Sequence, residues 1–350
     1  MRKKSVHIWG GLLVAASLVL TGCGSSKTPE AEPTNSEKPA EKPAEGDNAS
    51  GDITAVTIGV NQLVTHPSLD ATLEGFKKAF ADAGYVEGDT VNYDAQNAQG
   101  DQATATTIAS KFKSDGVDLV LAIATPSAQA SAQAISDIPI LFTAVTEPAE
   151  AGLVDSWEAP GANVTGTSDL NPVADQIELA KEIASDAKSL GIIYSSGEVN
   201  SEVQVELARE AAKGLDLEVK EITVSNSSEV TQAIETLSDS DIIYVPTDNT
   251  VVEGLEAVIQ FAESKQIPLI VGEGDSVERG GLATFGIDYF DLGYQTGEMA
   301  IRVLKDGEDP ATMGVETLSK IGLILNTGAA ERMGVTFSDE LLAKADKVVE

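Results

Sequence analysis

The sequence predicts an α/β protein of two similar lobes, each built around a parallel β-sheet. Short apolar runs alternate with helical stripes along most of the chain, which is the pattern of repeated strand–helix–strand units. The length of 350 residues also exceeds the roughly 250–300 residues over which one hydrophobic core grows efficiently. Segments of the second half repeat the order of segments in the first half. We therefore expect two domains of related topology.

The N-terminal residues are similar to a bacterial lipoprotein signal. Basic residues at positions 2–4 precede an apolar stretch over 8–20, and the sequence LTGC then ends at Cys23. The apolar stretch is too short to span a bilayer comfortably. We predict a signal peptide over 1–22 and lipidation of Cys23, which is the only cysteine of the chain. The alternative is an ordinary secretory signal followed by an unrelated cysteine.

Residues 23–51 are predicted to form a disordered, lipidated tether. Four prolines are spread among Glu, Lys, Ser and Ala, without apolar periodicity. Such a segment buries too little surface to offset the entropy that it loses on ordering. The folded part would then begin near Asp52 and hang from the outer face of the cytoplasmic membrane, which is the extracellular side in a single-membrane bacterium.

The first half of the folded part opens with strand and helix signals. Its apolar runs predict three buried strands, at 55–60, 117–124 and 138–145. Apolar residues recur at helical spacing from Leu69 to Phe80, so a helix is expected after the first strand. Ser68 is its expected N-cap, because serine side chains accept hydrogen bonds from the first free backbone N–H groups of a helix.

The second half repeats this plan. Its apolar runs predict three strands, at 189–196, 241–246 and 267–272. One helical face after the first of them is expected to consist of Val199, Val203, Leu207 and Ala211. Segment 241–252 follows the same order of Asp, apolar strand, Thr, polar turn and helix as segment 118–130. This similarity favours an internal duplication.

The last part of the chain is expected to supply a further helix and strand. Gly293 and Gly297 lie one helical turn apart in this segment. Glycines at that spacing allow two helices to approach closely, so we interpret them as packing residues rather than functional ones.

The composition excludes several classes of function. The chain carries 23 Lys and Arg against 56 Asp and Glu, a formal net charge of −33. A surface this acidic opposes binding to nucleic acid and to anionic lipid. One cysteine and two histidines are too few for a zinc site of four cysteines or of several histidines. We predict no metal site and no cofactor.

The motifs of common enzymes are missing from the sequence. There is no Gly-Lys dipeptide, and hence no phosphate-binding P-loop, and there is no Gly-x-Ser-x-Gly segment. A serine triad would have to use His66, with no motif in its support. We therefore predict a binding protein rather than an enzyme, and a surface hydrolase is disfavoured.

Polar residues follow the predicted strands, where a ligand site is expected. In parallel sheets, ligands bind beyond the carboxyl ends of the strands and beside helix N-termini. The first half places there Asn61, Gln62, His66, Thr125, Ser127, Ala128, Thr146 and Glu147. The second half places there Asn200, Ser201, Thr247, Asp248, Asn249, Glu273 and Asp275. If the two sets face each other, they form a cleft for a small polar molecule.

These residue types suit a zwitterion. Pro126 fits the first turn of a helix, which would leave the backbone N–H groups of Ser127 and Ala128 available to a carboxylate. Asp248 and Asp275 can accept charge-assisted hydrogen bonds from an ammonium group. The alternative for each such residue is a plain helix N-cap, so the hypothesis depends on the whole set.

The sequence leaves the roles of two ring-bearing residues, His66 and Tyr289, undecided. His66 could lie over an aromatic side chain or bond a carboxylate, and it could equally be a turn residue before Pro67. Tyr289 follows a predicted strand and could line the pocket, with core packing as the alternative.

Six segments carry a resemblance to a known family. They are HPSLDATLEGF at 66–76, IATPSAQA at 123–130, FTAVTEPAEAGLV at 142–154, VTGTSD at 164–169, VPTDNTV at 245–251 and FGIDYFDLGYQTG at 285–297. In this order and spacing they resemble the substrate-binding proteins of ABC importers, and more closely the subgroup associated with tryptophan and tyrosine uptake. The resemblance extends over 56–349. The family typically has Asp where this chain has Glu147.

The resemblance implies a periplasmic-binding-protein type I fold, with two Rossmann-like lobes joined by three crossover segments. The crossovers are expected near 164–168, 285–288 and 321–325. Lobe 1 is expected to comprise 52–166 and 287–320, and lobe 2 to comprise 167–286 and 321–350. A ligand would be held between the lobes by hinge closure.

The resemblance also implies a function. It suggests a solute-binding lipoprotein of an ABC importer that captures an amino acid, most naturally tryptophan or tyrosine, and docks on a permease. We expect a monomer whose membrane contact is its lipid anchor. The alternatives are a binding protein for a nucleoside or a sugar, and a lipoprotein that senses its ligand and signals to a membrane receptor.

Overall fold

The computed structural model describes residues 54–350. The predicted signal peptide, the lipidation of Cys23 and the predicted tether lie outside the described residues. Within the described part, no helix is both long enough and apolar enough to cross a membrane.

Strands and helices alternate along the chain, as the apolar runs predict. The strands are β1 (Val56–Gln62), β2 (Val91–Asn97), β3 (Leu119–Ile123), β4 (Ile140–Val145), β5 (Val164–Ser168), β6 (Ser189–Ser195), β7 (Glu218–Val224), β8 (Ile242–Val245), β9 (Leu269–Val271), β10 (Ala283–Gly286), β11 (Glu316–Thr317), β12 (Gly322–Asn326) and β13 (Lys347–Val349). The strands predicted from apolar runs in the two halves correspond to β1, β3, β4, β6, β8 and β9.

The helices fill the intervals between the strands. They are α1 (Pro67–Asp82), α2 (Gln102–Asp115), α3 (Thr125–Ala134), α4 (Val173–Ile183), α5 (Val199–Gly214), α6 (Val230–Ile234), α7 (Asn249–Glu253), α8 (Leu255–Lys265), α9 (Gly274–Arg279), α10 (Tyr289–Ile301), α11 (Thr327–Arg332) and α12 (Asp339–Lys344). Short 3₁₀ turns occur at Ser227–Glu229, Glu235–Leu237 and Pro310–Thr312, and a π-helical turn occurs at Arg302–Asp306.

The strands form two sheets of related topology. The first sheet has the order β11-β5-β4-β3-β1-β2, and all of its strand pairs are parallel. The second has the order β13-β12-β10-β9-β8-β6-β7, with one antiparallel pair, β10 and β12. The series β4-β3-β1-β2 and β9-β8-β6-β7 occupy matching positions, which supports the internal duplication. The predicted α/β class of two largely parallel sheets is confirmed.

The chain passes between the two sheets three times. It leaves the first sheet after Ser168, returns to it at 287–288 and crosses again at 318–321. The predicted lobe boundary between 166 and 167 falls inside β5, so the first crossing starts two residues later. The limits of the two lobes stay predictions.

Helix α1 begins earlier than its apolar stripe predicts. The expectation that Ser68 is its N-cap is wrong, because His66 occupies the N-cap and Pro67 the first helical position. Proline is favoured at this position, since its ring fixes a helical φ and its missing N–H is not needed there. The hydroxyl of Ser68 is therefore not used to cap the helix.

The buried face of α5 also differs from the prediction. Leu207, expected on the buried face, is 37% exposed, whereas Asn200, Ser201 and Gln204 are buried. The side chain of Gln204 both donates to the backbone carbonyl of Thr247 and accepts from its N–H, at 3.4 and 3.1 Å. Polar side chains that bond a neighbouring loop thus occupy the buried face of α5. The spacing of the apolar residues does not indicate this.

Helices α1 and α10 pack closely against each other through glycines. A Cβ atom on Gly293 would lie 1.9 Å from the carbonyl oxygen of Thr72, and one on Gly75 would lie 2.0 Å from that of Phe290. Neither position has room for a side chain unless a backbone moves. The contact agrees with the interpretation of Gly293 as a packing residue.

Replacing Gly293 by Ala is expected to lower the free energy of unfolding by about 2 kcal/mol, because the added methyl group forces the two helices apart. Denaturant unfolding followed by circular dichroism measures this change. The control is Gly214→Ala, since this glycine ends α5 and nothing lies within 4 Å of the position of its Cβ. The control should keep or slightly raise the stability, as alanine favours helices. Equal losses in both variants would contradict the packing argument.

Candidate functional site

A small cavity of about 20 Å³ lies between the strand ends of the two sheets. This is room for about one water molecule, so the two walls have to move apart to admit a larger ligand. The walls come from both sheets, through the turns after β1, β4, β5, β8 and β9 and the starts of α5 and α10. Eight of the predicted site residues line the cavity: His66, Thr146, Asn200, Thr247, Asp248, Asn249, Glu273 and Tyr289.

A buried carboxyl group, that of Asp169, lies in the wall formed by the first crossing. Its Oδ1 accepts a hydrogen bond from the hydroxyl of Thr146 at 3.0 Å, and its Oδ2 accepts one from the hydroxyl of Tyr289 at 2.8 Å. Because Tyr289 follows the second crossing, this bond joins two of the connecting segments. Burial raises the pKa of Asp169 above its usual value. Each carboxylate oxygen still has a lone pair for a further donor.

Asp248 lines the cavity, but its oxygens are engaged with its own surroundings. Oδ1 accepts from the backbone N–H of Val251 at 2.8 Å and so caps α7. Oδ2 accepts from the backbone N–H of Ser195 at 2.5 Å and from the hydroxyl of Ser201 at 2.6 Å. Burial, reinforced by the nearby Glu198, raises the pKa of Asp248 to about 7. These contacts match the capping alternative.

Glu273 makes a contact between the two lobes. It is the N-cap of α9, and its Oε2 accepts from the backbone N–H of Asp275 at 3.0 Å and from the hydroxyl of Ser68 at 2.6 Å. Ser68 belongs to α1 beside the first sheet, whereas Glu273 follows β9 of the second sheet. A charge-assisted hydrogen bond of this kind stabilises the approach of the two walls.

A second contact between the lobes joins His66 and Asn249. The Nε2 atom of His66 lies 3.5 Å from Oδ1 of Asn249. The Nδ2 group of Asn249 donates in turn to Oε2 of Glu198 at 2.6 Å. Burial lowers the pKa of His66 to about 4, so the imidazole is neutral at physiological pH.

The cavity is acidic and contains polar atoms without partners. Among the described residues that line it, Asp169, Asp248 and Glu273 are carboxylates, and none is a lysine or an arginine. Three buried atoms of its lining have no hydrogen-bond partner within residues 54–350, namely His66 Nδ1, Asn200 Oδ1 and Thr247 Oγ1. Buried polar groups are normally paired, so these atoms indicate positions where a ligand would bind. Over the same range, no cluster of His, Cys, Asp and Glu is arranged to hold a metal ion.

Helix α3 begins beside the cavity. The hydroxyl groups of Thr125 and Ser127 are buried and have no partner within the described range. The backbone N–H of Ala124 donates to β4, which brings the start of α3 next to Ala144 of the cavity wall. The expectation that the N–H of Ala128 is free is wrong, because it donates to the carbonyl of Ala124 at 3.0 Å. It lies deep enough in the first turn to find an intrahelical acceptor.

Strained backbone occurs at the same place. Ala124 and Ala144 have φ values of 79° and 54°, in the region that residues other than glycine rarely adopt. Such conformations cost on the order of 1–3 kcal/mol each and concentrate at functional sites. Their position at the ends of β3 and β4 is therefore a further indication of a binding site.

Other predicted site residues have structural contacts outside the cavity. The amide of Asn61 donates to the hydroxyl of Ser131 at 3.1 Å, and that of Gln62 donates to Asp70 at 2.7 Å. Ser201 lies behind Asp248 as one of its hydrogen-bond donors.

Glu147 and Asp275 also lie apart from the cavity lining. The carboxylate of Glu147 accepts from the indole N–H of Trp157 at 2.7 and 2.9 Å, which ties down the loop after β4. Asp275 lines a separate groove at the third crossing, together with Lys320 and Lys347. Burial, and next the nearby Glu273, raises the pKa of Asp275 to about 6.

Four residues of the lining were not predicted as site residues: Leu69, Ala144, Asp169 and Val252. The sequence signal for Asp169 was its place at the end of VTGTSD, one of the segments that carry the family resemblance. The three apolar residues have no polar signal, because their side chains look like core residues in the sequence.

Known proteins are similar to this chain over most of its length. A curated tyrosine-binding protein of Clostridioides difficile (strain R20291) is 46% identical over 323 residues, which are 90% of this chain and 89% of that protein. A solved ABC domain from Streptococcus pneumoniae, in complex with L-Trp, is 37% identical with a TM-score of 0.82, covering 85% of this chain and 100% of the other.

A third relative differs more in shape. The ligand-free, open structure of a substrate-binding protein with adhesive properties from Clostridium difficile is 44% identical, covers 84% of this chain and 99% of the other, and has a TM-score of 0.64. It is thus more similar in sequence than the Streptococcus pneumoniae domain but less similar in geometry. Together with the contact of Ser68 and Glu273 across the lobes, this difference indicates a closed lobe arrangement.

The matching family agrees with the fold. The sequence profile of the family described as ABC transporter substrate binding protein matches residues 57–349. The solved relatives have the periplasmic-binding-protein type I fold, which confirms the predicted fold class and the resemblance. The chain therefore belongs to the family of ABC transporter substrate-binding proteins, the extracytoplasmic components that bind solutes for these transporters.

Proposed function

We propose that the protein captures an aromatic amino acid, tyrosine or tryptophan, in the cavity between its lobes and delivers it to an ABC permease. Two relatives support this ligand class. One, at 46% identity, is named a tyrosine-binding protein, and another, at 37% identity, is solved in complex with L-Trp.

The charge of the cavity is the observation that carries the proposal. Asp169, Asp248 and Glu273 line it, without a lysine or arginine among the described lining residues. A buried carboxylate without a cation is costly, so the ligand is expected to bring the positive charge. Asp169 is the best acceptor for an ammonium group, because each of its oxygens receives only one hydrogen bond within residues 54–350.

The start of α3 suits the carboxylate of an amino acid. This helix has 10 residues, and its N-terminus carries a partial positive charge with free N–H groups. The unpartnered hydroxyls of Thr125 and Ser127 add two donors at the same place. A ligand with an ammonium group at Asp169 and a carboxylate at α3 would be an amino acid rather than an amine.

The rest of the proposal concerns the membrane. Lipidation of Cys23 would hold the protein, as a monomer, on the outer face of the cytoplasmic membrane, through a tether over 23–51. The support for this part is the sequence LTGC after a short apolar stretch, followed by a proline-rich segment. Two acyl chains on one cysteine give stable anchoring.

A thermal-shift screen tests the ligand. L-tyrosine or L-tryptophan at a hundredfold excess over its Kd is expected to stabilise the folded state by about 2.7 kcal/mol and so to raise the thermal midpoint. The screen includes the other amino acids, nucleosides and sugars as controls. A midpoint that responds to nucleosides or sugars alone would contradict the proposal and favour those alternatives.

A further inference from the structure

The ring of His66 lies in the wall of the cavity and has one nitrogen atom without a partner. The residue is 8% exposed and precedes α1 as its N-cap. Its Nε2 atom lies 3.5 Å from Oδ1 of Asn249, whereas its Nδ1 atom is buried and has no hydrogen-bond partner among residues 54–350. A buried acceptor without a donor is costly, so a molecule that fills the cavity is expected to supply one.

The contacts of Asn249 determine which nitrogen of His66 carries the proton. The Nδ2 group of Asn249 donates to Oε2 of Glu198 at 2.6 Å, and an ionised carboxylate can only accept. The amide oxygen of Asn249 therefore faces His66, and the Nε2–H group of His66 is the donor. Nδ1 then carries a lone pair. The lowered pKa of His66, about 4 as a result of burial, keeps this neutral form at physiological pH.

Apolar side chains flank His66 on both lobes. Leu69 lies one helical turn after His66, and Val252 lies at the same spacing after Asn249. All four residues line the cavity. This part of the wall thus combines apolar surface with a neutral acceptor, which suits a ring that carries one N–H or O–H group.

We propose that Nδ1 of His66 accepts the hydrogen bond of the ligand's ring donor, the phenol O–H of tyrosine or the indole N–H of tryptophan, and thereby selects these amino acids over phenylalanine. The inference rests on the proposed function. Charge-assisted hydrogen bonds are roughly twice as strong as neutral ones, so the ammonium group binds the carboxylates and the neutral imidazole is left for a neutral donor. A phenylalanine ring would leave Nδ1 buried and unpaired, which is how a polar site rejects an analogue.

Calorimetric titration of the wild type, His66→Leu and His66→Asn with L-tyrosine, L-tryptophan and L-phenylalanine tests the inference. Phenylalanine is the matched probe, because it lacks only the ring donor. The wild type is expected to bind the better of tyrosine and tryptophan about tenfold more tightly than phenylalanine. In His66→Leu this ratio should fall to about one while the affinity for phenylalanine is largely kept. His66→Asn should regain part of the ratio, since its amide oxygen can stand near the position of Nδ1.

The experiment distinguishes failure of the inference about His66 from failure of the proposed function. If the wild type binds these amino acids but His66→Leu keeps the ratio, or loses affinity equally for all three, the inference is overturned and His66 acts through packing. If the wild type binds none of the three, the proposed function fails and the inference fails with it. Thermal midpoints without ligand check that the variants fold. Should His66→Leu not fold, the wild-type ratio and its change in His66→Asn decide the question, and a wild-type ratio near one overturns the inference.

Discussion

Replacing Asp169 by Asn is expected to weaken the binding of the amino-acid ligand by about a hundredfold, since removing one partner of a buried charge pair costs 2–5 kcal/mol or more, about 30-fold to several-thousandfold in affinity. The reason lies in the surroundings of the carboxylate. It accepts one hydrogen bond on each oxygen, from Thr146 and Tyr289, and no basic residue within 54–350 forms a salt bridge with it. The ligand's ammonium group would be its counter-charge.

The same substitution separates binding from folding. Asparagine keeps an oxygen that can accept from Tyr289 or Thr146, and it removes a charge whose burial is unfavourable, as the raised pKa of Asp169 indicates. The thermal midpoint without ligand is therefore expected to stay within a few degrees of the wild type. Calorimetric titration gives the affinity, and a thermal scan of the ligand-free protein gives the midpoint.

Glu147→Gln is the matched control for Asp169→Asn. Glu147 is also an acid after a strand of the first sheet, but its carboxylate bonds the indole of Trp157 and does not line the cavity. Its substitution should change the ligand affinity less than about twofold, because no charge near the ligand is removed. An affinity of Asp169→Asn within a fewfold of the wild type would contradict the ammonium site.

The strands could be predicted because a buried strand leaves a local pattern in the sequence. Strands of a parallel sheet are buried on both faces, so β1, β3, β4, β6, β8 and β9 read as continuous apolar runs. The polar residues that follow them converge because parallel strands share one carboxyl edge. This rule alone brings His66, Thr146 and Asn249 to the same cavity.

The remaining site residues depend on contacts that are distant in sequence. Asp169 meets Tyr289 because two crossings of the chain lie side by side, and the sequence near either residue does not show where the other crossing runs. Asn200 and Gln204 are buried because the loop around Thr247 needs their amides, and so the face of α5 was predicted wrongly. Prediction from sequence patterns fails where buried positions are occupied by polar side chains that form the site.

Replacing Asp248 by Ala is expected to lower the free energy of unfolding by about 3–5 kcal/mol and the thermal midpoint by about 10 °C. The side chain is fully buried and accepts from the N–H groups of Ser195 and Val251 and from the hydroxyl of Ser201. Alanine would leave all three donors unpaired in a site that water does not reach. Denaturant unfolding and a thermal scan of the ligand-free protein measure the loss.

An exposed aspartate at another helix start isolates the effect of burial. Asp101 caps α2 by accepting from the N–H and the hydroxyl of Thr104, at 2.6 and 2.7 Å, and both bonds are exposed. Asp101→Ala should cost only about 1 kcal/mol, since water can satisfy the freed donors. If Asp248→Ala instead keeps the wild-type midpoint and abolishes ligand binding, Asp248 contacts the ammonium group and the assignment to Asp169 needs revision. The two variants thus distinguish the two aspartates, because the protein already fills three of the four lone-pair positions of Asp248 but only two of those of Asp169, which leaves Asp248 less to offer a ligand.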